Sequence, residues 1–119
     1  MKILVTGGLG AVGKPLFEEL RRRNHDVWIS DRLHSAEPNY VRCDIGEFHQ
    51  VQNLFAKVKF DCIYHLAAEF GRRNGEDFYK TMWKTNAIGT KNIIRMQERL
   101  KFRMVFTSSS EVYGDYRGI

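Results

Sequence analysis

Four glycines near the N-terminus are the residues of this sequence best suited to holding a phosphate. They lie in the segment Thr6-Gly7-Gly8-Leu9-Gly10-Ala11-Val12-Gly13, which satisfies both GxGxxG and GxxGxxG. Glycine lets the backbone approach a pyrophosphate closely, and the last glycine lets the following helix pack against the preceding strand. The pyrophosphate then lies at the N-terminus of that helix. The residues predicted to bind it are Gly7, Gly10, Ala11, Val12 and Gly13.

An acidic residue follows the glycines at the distance expected for a ribose contact. Asp31 lies 18 residues after Gly13, at the predicted end of the second strand. A carboxylate there accepts hydrogen bonds from both hydroxyls of an adenosine ribose, and its charge repels a 2′-phosphate. Arg32 opposes this preference, because a guanidinium at the same place pairs well with a phosphate. The spacing therefore favours NAD as the cofactor and leaves NADP open.

The apolar pattern places these residues within alternating strands and helices. Short β-rich runs predict strands over residues 2–6, 26–30, 40–42, 62–65 and 104–107. Apolar spacing predicts helices up to about residue 24, over 51–58 and, without a break, over 78–100. The polar stretch 69–77 is expected to be a mobile loop. Strands that alternate with helices require right-handed crossovers, so we predict a doubly wound parallel Rossmann sheet of order 3-2-1-4-5 with helices on both faces.

Composition narrows the class of protein. With 119 residues, of which 43% are hydrophobic and 28% charged, the chain is expected to form one folded domain, residues 1–119. The net charge is +5 but no basic face is interleaved with aromatics, so nucleic acid is not an expected partner. The first apolar run is too short for a signal peptide or a membrane span, which favours a cytoplasmic protein. Cys43 and Cys62 lack metal-binding spacing, so no metal is expected and both are predicted to be buried thiols.

Five segments in order carry a family resemblance that covers nearly the whole chain. They are the glycine segment, Asp44-Ile45, His65-Leu66-Ala67-Ala68, Asn86-Ala87-Ile88-Gly89-Thr90 and Ser108-Ser109-Ser110-Glu111-Val112-Tyr113-Gly114. Together they resemble the extended short-chain dehydrogenases, the NAD-dependent epimerase/dehydratase family that modifies nucleotide sugars. The resemblance implies that Asp44 and Ile45 flank the adenine, and that Leu66, Ala67 and Ala68 line the path of the cofactor.

The residues alone leave alternatives open for three of these positions. Asp44 is also placed to cap the helix that follows it. His65 lies in a predicted core strand and is interpreted as structural. The resemblance implies that Asn86 supports a local irregularity of its helix and a structural water, whereas a mid-helix polar residue alone is compatible with a solvent-facing position.

The segment after the fifth strand is the predicted reaction site. The resemblance implies that Ser109 hydrogen-bonds the reacting sugar oxygen and the catalytic tyrosine. It also places Ser110 and Glu111 where dehydratases and decarboxylases carry further polar or acid/base residues. Glu111 therefore favours a dehydratase-like or decarboxylase-like reaction over plain epimerisation, although a solvated glutamate is the alternative.

The expected function is that of an NAD-dependent oxidoreductase that transiently oxidises C4 of a nucleotide sugar. The family's catalytic pair is a tyrosine with a lysine four residues later, and no tyrosine here has lysine at that spacing. We therefore expect the chain to be a truncated NAD-binding portion that lacks the substrate-binding domain and is inactive alone. The full-length enzyme is expected to form a homodimer. The alternative is a non-catalytic dinucleotide-binding module, for redox sensing or scaffolding.

Overall fold

Five parallel strands form the centre of the computed structural model, which describes residues 1–114 apart from the side chains of Arg72 and Glu111. The strands are Lys2–Thr6 (β1), Asp26–Asp31 (β2), Tyr40–Arg42 (β3), Cys62–His65 (β4) and Arg103–Phe106 (β5). Their order is β3-β2-β1-β4-β5, and every neighbouring pair is parallel. The predicted sheet is thus confirmed, with the last strand one residue earlier than expected. The strand order reverses at β1, where sheets of this kind bind ligands at the carboxyl ends of their strands.

Helices cover both faces of this sheet. They are Gly13–Arg22 (α1), Phe48–Lys57 (α2), Arg72–Asp77 (α3), Tyr79–Met82 (α4) and Thr90–Leu100 (α5), with a π-helical segment at Trp83–Gly89 and a 3₁₀ turn at Ser110–Tyr113. Asn24 and Lys101 follow α1 and α5 with φ of 64° and 59°. Such left-handed residues commonly end helices, since they let the next N–H bond back to an unpaired carbonyl.

Residues 69–100 confirm one prediction and contradict another. The long helix predicted over 78–100 is present as one continuous helical stretch over 79–100, in which the π-helical segment lies between α4 and α5. The stretch predicted as a loop contains α3, whose N-cap Gly71 has φ of 102° and whose Asn74 side chain donates to the carbonyl of Phe70. Apolar periodicity does not detect either feature, because it reports which face is buried and not the backbone hydrogen-bond pattern.

The core divides into two clusters because successive strand residues point to opposite faces of the sheet. Ile3 and Val5 of β1 pack with Phe17 and Leu20 of α1. Leu4, between them, packs on the other face with residues of α2 and α5 that include Leu54, Phe55, Ile93 and Met96. Each such side chain contributes roughly 1.5–3 kcal/mol when fully buried. These two clusters hold the strand ends that carry the site.

Both cysteines are buried and free, as predicted, one in each cluster. Burial raises the pKa of Cys43 to about 12 and also raises that of Cys62, so both remain thiols. Within residues 1–114, no group of three or more His, Cys, Asp or Glu side chains is placed to hold a metal ion. No helix in this part of the chain is long and apolar enough to cross a membrane.

Candidate functional site

The glycine segment connects β1 to α1 in a turn that two glycines make possible. Gly7 has φ of 67°, and a Cβ there would lie 2.8 Å from the nitrogen of Ala67. A Cβ on Gly13 would lie 2.3 Å from the carbonyl oxygen of Gly7. Since real Cβ atoms do not approach backbone this closely, any side chain at either position would displace the turn.

Gly10 differs from these two, because it is exposed and its surroundings are more open. A Cβ there would meet one atom within 4 Å, the oxygen of Gly7 at 3.3 Å. Just beyond it α1 begins at an N-cap, Val12, that makes no side-chain capping hydrogen bond. Of the first four residues of α1, Lys14 and Leu16 donate their N–H to Gly10 and Val12, and Pro15 has none, so the N–H of Gly13 is the one that faces an anion at this end. Ala11 and Val12 are exposed beside it, and the arrangement fits a pyrophosphate.

Asp31 ends β2 with its carboxylate against the glycine turn. Its Oδ2 accepts from the N–H of Leu9 at 3.2 Å, and its Oδ1 accepts from the N–H of Arg32 at 2.8 Å. These bonds hold the carboxylate at the carboxyl edge of the sheet. The chain therefore brings an acid and the turn together, as their spacing predicted.

A cleft at this edge, here called the Asp31 cleft, collects most of the predicted nucleotide-binding residues. Those that line it are Gly7, Asp31, Arg32, Asp44, Ile45, Ala67 and Ala68. Four lining residues were missed from the sequence: Ser30, Cys43, Glu69 and Thr85. The hydroxyl of Ser30 is buried and has no hydrogen-bond partner among the described residues. Because a buried polar group without a partner costs about 1–3 kcal/mol, a polar ligand group in this cleft would stabilise it.

Asp44 forms the far side of the Asp31 cleft and is fixed by three contacts. Its Oδ1 accepts from the N–H of Gly46 at 2.9 Å, its own N–H donates to Gln50 at 2.8 Å, and its Oδ2 lies 3.7 Å from Nζ of Lys84. The N-cap of α2 is Glu47, so the alternative that Asp44 caps this helix is wrong. Lys84 also bonds Glu47, and that bond is the main reason its pKa is raised.

Asn86 holds the segment after β4 in place. Its Oδ1 accepts from the N–H of Glu69 and its Nδ2 donates to the carbonyl of Glu69, both at 2.8 Å. Asn86 lies in the π-helical segment, which confirms the implied helix irregularity, and its amide is not solvent-facing. Glu69 in turn forms an ion pair with Arg32 at 2.7 Å. The sequence signal for Glu69 was its place directly after Ala67-Ala68, but there it was interpreted as the start of a polar loop.

A second cleft, here called the Ser109 cleft, continues the first along the same edge. Its lining residues include Ser108, Ser109, Thr107, Asn86 and Thr90. Ala67, Ala68 and Glu69 line both clefts, so together the clefts form one groove. Ser110 begins the 3₁₀ turn without lining either cleft, and the side chain of Glu111 lies outside what the structure describes.

His65 lies in the wall of the Ser109 cleft and is buried. Its two ring nitrogens lie 2.8 Å from Oγ1 of Thr6 and 3.0 Å from Oγ1 of Thr90. Burial lowers its pKa to about 4, so the ring is neutral near pH 7. A buried neutral imidazole held at both nitrogens stabilises the wall of the cleft, as the structural interpretation predicted.

Leu66 is a predicted site residue that does not line the groove. Its side chain packs against the cluster that contains Phe17, and its N–H donates to Oγ1 of Thr6 at 3.1 Å. Strand alternation explains this, because Leu66 points to the α1 face while its neighbours reach the groove.

Comparisons with known proteins identify the family and the fold. A model of the family described as NAD dependent epimerase/dehydratase matches residues 3–119. A UDP-N-acetyl-alpha-D-glucosaminuronate decarboxylase of Bacillus cytotoxicus is 31% identical over 95% of this chain, and UDP-glucuronic acid decarboxylase 1 of Danio rerio is 36% identical over 96%. The chain spans 38% and 28% of the length of these two relatives. A solved UDP-galactose 4-epimerase superposes on the whole chain, and on 42% of its own, with a TM-score of 0.83 and 29% identity.

Proposed function

Since the chain belongs to the NAD-dependent epimerase/dehydratase family, we propose that it is the NAD-binding part of an enzyme that modifies a nucleotide sugar. The observation that carries this proposal is the single groove that joins the glycine turn and Asp31 to Ser109. One end has the groups that hold a dinucleotide, and the other has a hydroxyl where a substrate would react. A module that only bound the dinucleotide would not require the Ser109 end.

Different residues would hold the ribose, the pyrophosphate and the adenine of the cofactor. Asp31 would accept hydrogen bonds from the adenosine ribose, and the exposed start of α1 beside Gly10 would hold the pyrophosphate. Asp44 and Ile45 would flank the adenine on the far side of the Asp31 cleft. Ala67 and Ala68 have side chains small enough to let the cofactor pass between the two clefts.

At the other end, Ser109 would position the reacting sugar oxygen. Bound NAD would supply the redox chemistry by accepting a hydride from C4 of the sugar and returning it later. Ser109 would donate a hydrogen bond to the oxygen on that carbon, with Ser110 and Glu111 contributing further polar groups. In this proposal the tyrosine base and its lysine are supplied from outside these 119 residues, because Tyr40, Tyr64, Tyr79 and Tyr113 are followed four residues later by Asp, Ala, Trp and Arg.

The similar proteins indicate the substrate class. Two of them are named as decarboxylases of UDP-linked uronic acids and one as a UDP-galactose 4-epimerase. Together with Glu111, they favour a UDP-sugar as the substrate and decarboxylation as the reaction. Epimerisation and dehydration share the same initial oxidation, so they remain within the proposal.

The proposal is tested first by identifying the bound nucleotide. Protein purified without added cofactor is denatured, and the released small molecules are identified by mass spectrometry. NAD is the expected product, with Asp31→Ala releasing much less. A longer protein that also carries the tyrosine and lysine is then offered UDP-, dTDP- and GDP-sugars. Release of NAD without conversion of any sugar would contradict the enzyme and favour a binding module.

A further inference from the structure

We propose that Glu69 determines the preference for NAD over NADP by holding the guanidinium of Arg32 in an ion pair. This inference rests on the proposed function, because it concerns the ribose end of the same cofactor site. It adds a specificity-determining residue that lies 37 residues after Arg32 in the sequence, on a different strand end.

The position of Arg32 conflicts with a preference for NAD. It directly follows Asp31, whose carboxylate would accept from the ribose hydroxyls and repel a 2′-phosphate. A free guanidinium at that position would attract the same phosphate, because its planar donors match phosphate oxygens. Two adjacent residues would then favour opposite cofactors.

The structure resolves this conflict through Glu69. Nη2 of Arg32 lies 2.7 Å from Oε1 of Glu69, and both residues line the Asp31 cleft. The Arg32 side chain is 57% exposed, whereas that of Glu69 is 18% exposed. The more buried carboxylate therefore sets where the exposed guanidinium lies.

The backbone of Glu69 is held independently of this pair. Asn86 bonds both the N–H and the carbonyl of Glu69, each at 2.8 Å. An exposed ion pair is usually weak because two flexible side chains must be ordered to form it. Here the backbone of Glu69 is already fixed by Asn86 of the π-helical segment, so less conformational entropy is lost when the ion pair forms.

The negative charge of the Asp31 cleft also disfavours a 2′-phosphate. Its lining includes the carboxylates of Asp31, Asp44 and Glu69 and the guanidinium of Arg32, and Nζ of Lys84 lies 3.7 Å from Asp44. Nearby Arg42 is engaged elsewhere, since its Nε donates to the carbonyl of Arg32 at 2.8 Å and its Nη1 lies 2.9 Å from His34. Removing the charge of Glu69 therefore both releases Arg32 and makes the cleft less negative, and each change favours a 2′-phosphate.

The test measures the dissociation constants of NAD and NADP by titration of the full 119-residue chain. Glu69→Gln replaces the carboxylate with an amide of the same shape. We expect it to lower the ratio of NAD affinity to NADP affinity by about fivefold, the strength of a favourable exposed ion pair. Glu69→Ala should lower the ratio in the same direction. Glu98→Gln makes the same change in net charge on the exposed side of α5 and should leave the ratio unchanged.

A double variant separates release of Arg32 from simple repulsion by Glu69. Measured against Arg32→Ala alone, the double variant Glu69→Gln with Arg32→Ala should shift the ratio toward NADP much less than Glu69→Gln shifts it in the parent, because only the change in cleft charge remains. A shift of equal size in the two backgrounds overturns the inference, as does a ratio that stays constant in both Glu69 variants while the parent binds NAD. In either case the proposed function stands. A parent chain that binds neither nucleotide overturns the proposed function, and this inference with it.

Discussion

The Asp31 cleft and the Ser109 cleft differ in the kind of side chain at their edges. The Asp31 cleft is bordered by polar contacts, namely the Arg32–Glu69 ion pair, the hydrogen bond from Leu9 to Asp31 and the contacts of Asp44. The Ser109 cleft has an apolar rim instead. Phe70, Phe106 and Val112 line it while 82%, 56% and 71% exposed.

This difference indicates a division of labour within the groove. Hydrogen bonds and ion pairs already fix the side chains that would hold a dinucleotide, so that end is preorganised. Large apolar side chains left exposed together mark a surface that a ligand or more protein covers. Nucleotide binding should therefore be separable from turnover, and variants in the two clefts should fail in different ways.

The largest expected effect comes from the glycine turn, where binding and folding can be separated. Gly10→Val should abolish NAD binding with little change in unfolding free energy, because Gly10 is exposed and has one close neighbour. Gly13→Val should lose both NAD binding and stability, since its Cβ would lie 2.3 Å from the oxygen of Gly7. We expect it to cost about 3 kcal/mol or more, at the upper end of overpacking effects.

Equilibrium titration with NAD and urea unfolding of both glycine variants check this prediction. Normal NAD affinity in Gly10→Val would remove the glycine turn from the binding site. If the two variants lose stability equally, the contrast between packing and ligand contact at these glycines is wrong.

A pH-dependent loss of stability is expected from the wall of the Ser109 cleft. His65 has a folded pKa of about 4, lowered by burial from an ordinary value of 6.5. Between these values the unfolded chain binds the proton first, so stability is complete above pH 6.5 and is lost as the pH falls toward 4. The linked loss is about 3 kcal/mol between pH 7 and pH 4.

Urea unfolding at these two pH values, compared between the parent and His65→Gln, isolates this contribution. Carboxylates titrate in both proteins, so the difference between their pH dependences belongs to His65. The variant should lose less stability on acidification. An identical loss in both proteins would show that His65 is protonated as easily in the folded chain as in the unfolded one.

Ser109→Ala should lower turnover and leave nucleotide binding unchanged. In a longer protein that supplies the tyrosine and lysine, turnover should fall by roughly 10²-fold while NAD remains bound, because positioning of the reacting oxygen is lost. The 119-residue chain by itself should show no turnover. Turnover and bound NAD are measured on the same preparations, and unchanged turnover in the variant would exclude Ser109 from the site.

The smallest expected effect is that of Asp44→Asn in the far side of the Asp31 cleft. The amide keeps an oxygen for the N–H of Gly46 but weakens the contact with Lys84 and the acceptor offered to adenine. NAD affinity should fall about fivefold, the value of one hydrogen bond. Asp77→Asn, the same change on exposed α3, is the matched control and should not alter the titration. Equal affinity in both variants would separate Asp44 from the adenine.

Much of the fold follows from local pattern. Strand-length apolar runs that alternate with amphipathic helices specify parallel strands, and right-handed crossovers leave few possible orders. The π-helical segment was outside this reasoning, because apolar periodicity continues through 78–100. Within the segment Asn86 bonds Glu69, 17 residues earlier. The short helix α3 was missed for a related reason, since its sequence is polar on every side.

The candidate site was likewise predicted only in part from the sequence. Gly7, Asp31, Asp44 and Ala67 could be found because each stands at a strand end within a recognisable motif, and the structure brings them together in one cleft. Ser30 was missed because nothing in its neighbours shows that its hydroxyl is buried without a partner. The side chain of Leu66 lies away from both clefts, because a motif identifies consecutive residues, whereas a strand end sends them to opposite faces.

By itself the sequence determined the strands, the glycine turn and the acid that follows it, since these depend on residues near one another in the chain. Only the tertiary structure decided the state of Arg32. Its charge could serve a 2′-phosphate or a carboxylate, and the choice is made by Glu69, which the fold brings from the end of β4 to the end of β2. An ion pair depends on distance in space, and the sequence separation of its partners carries no information about that distance.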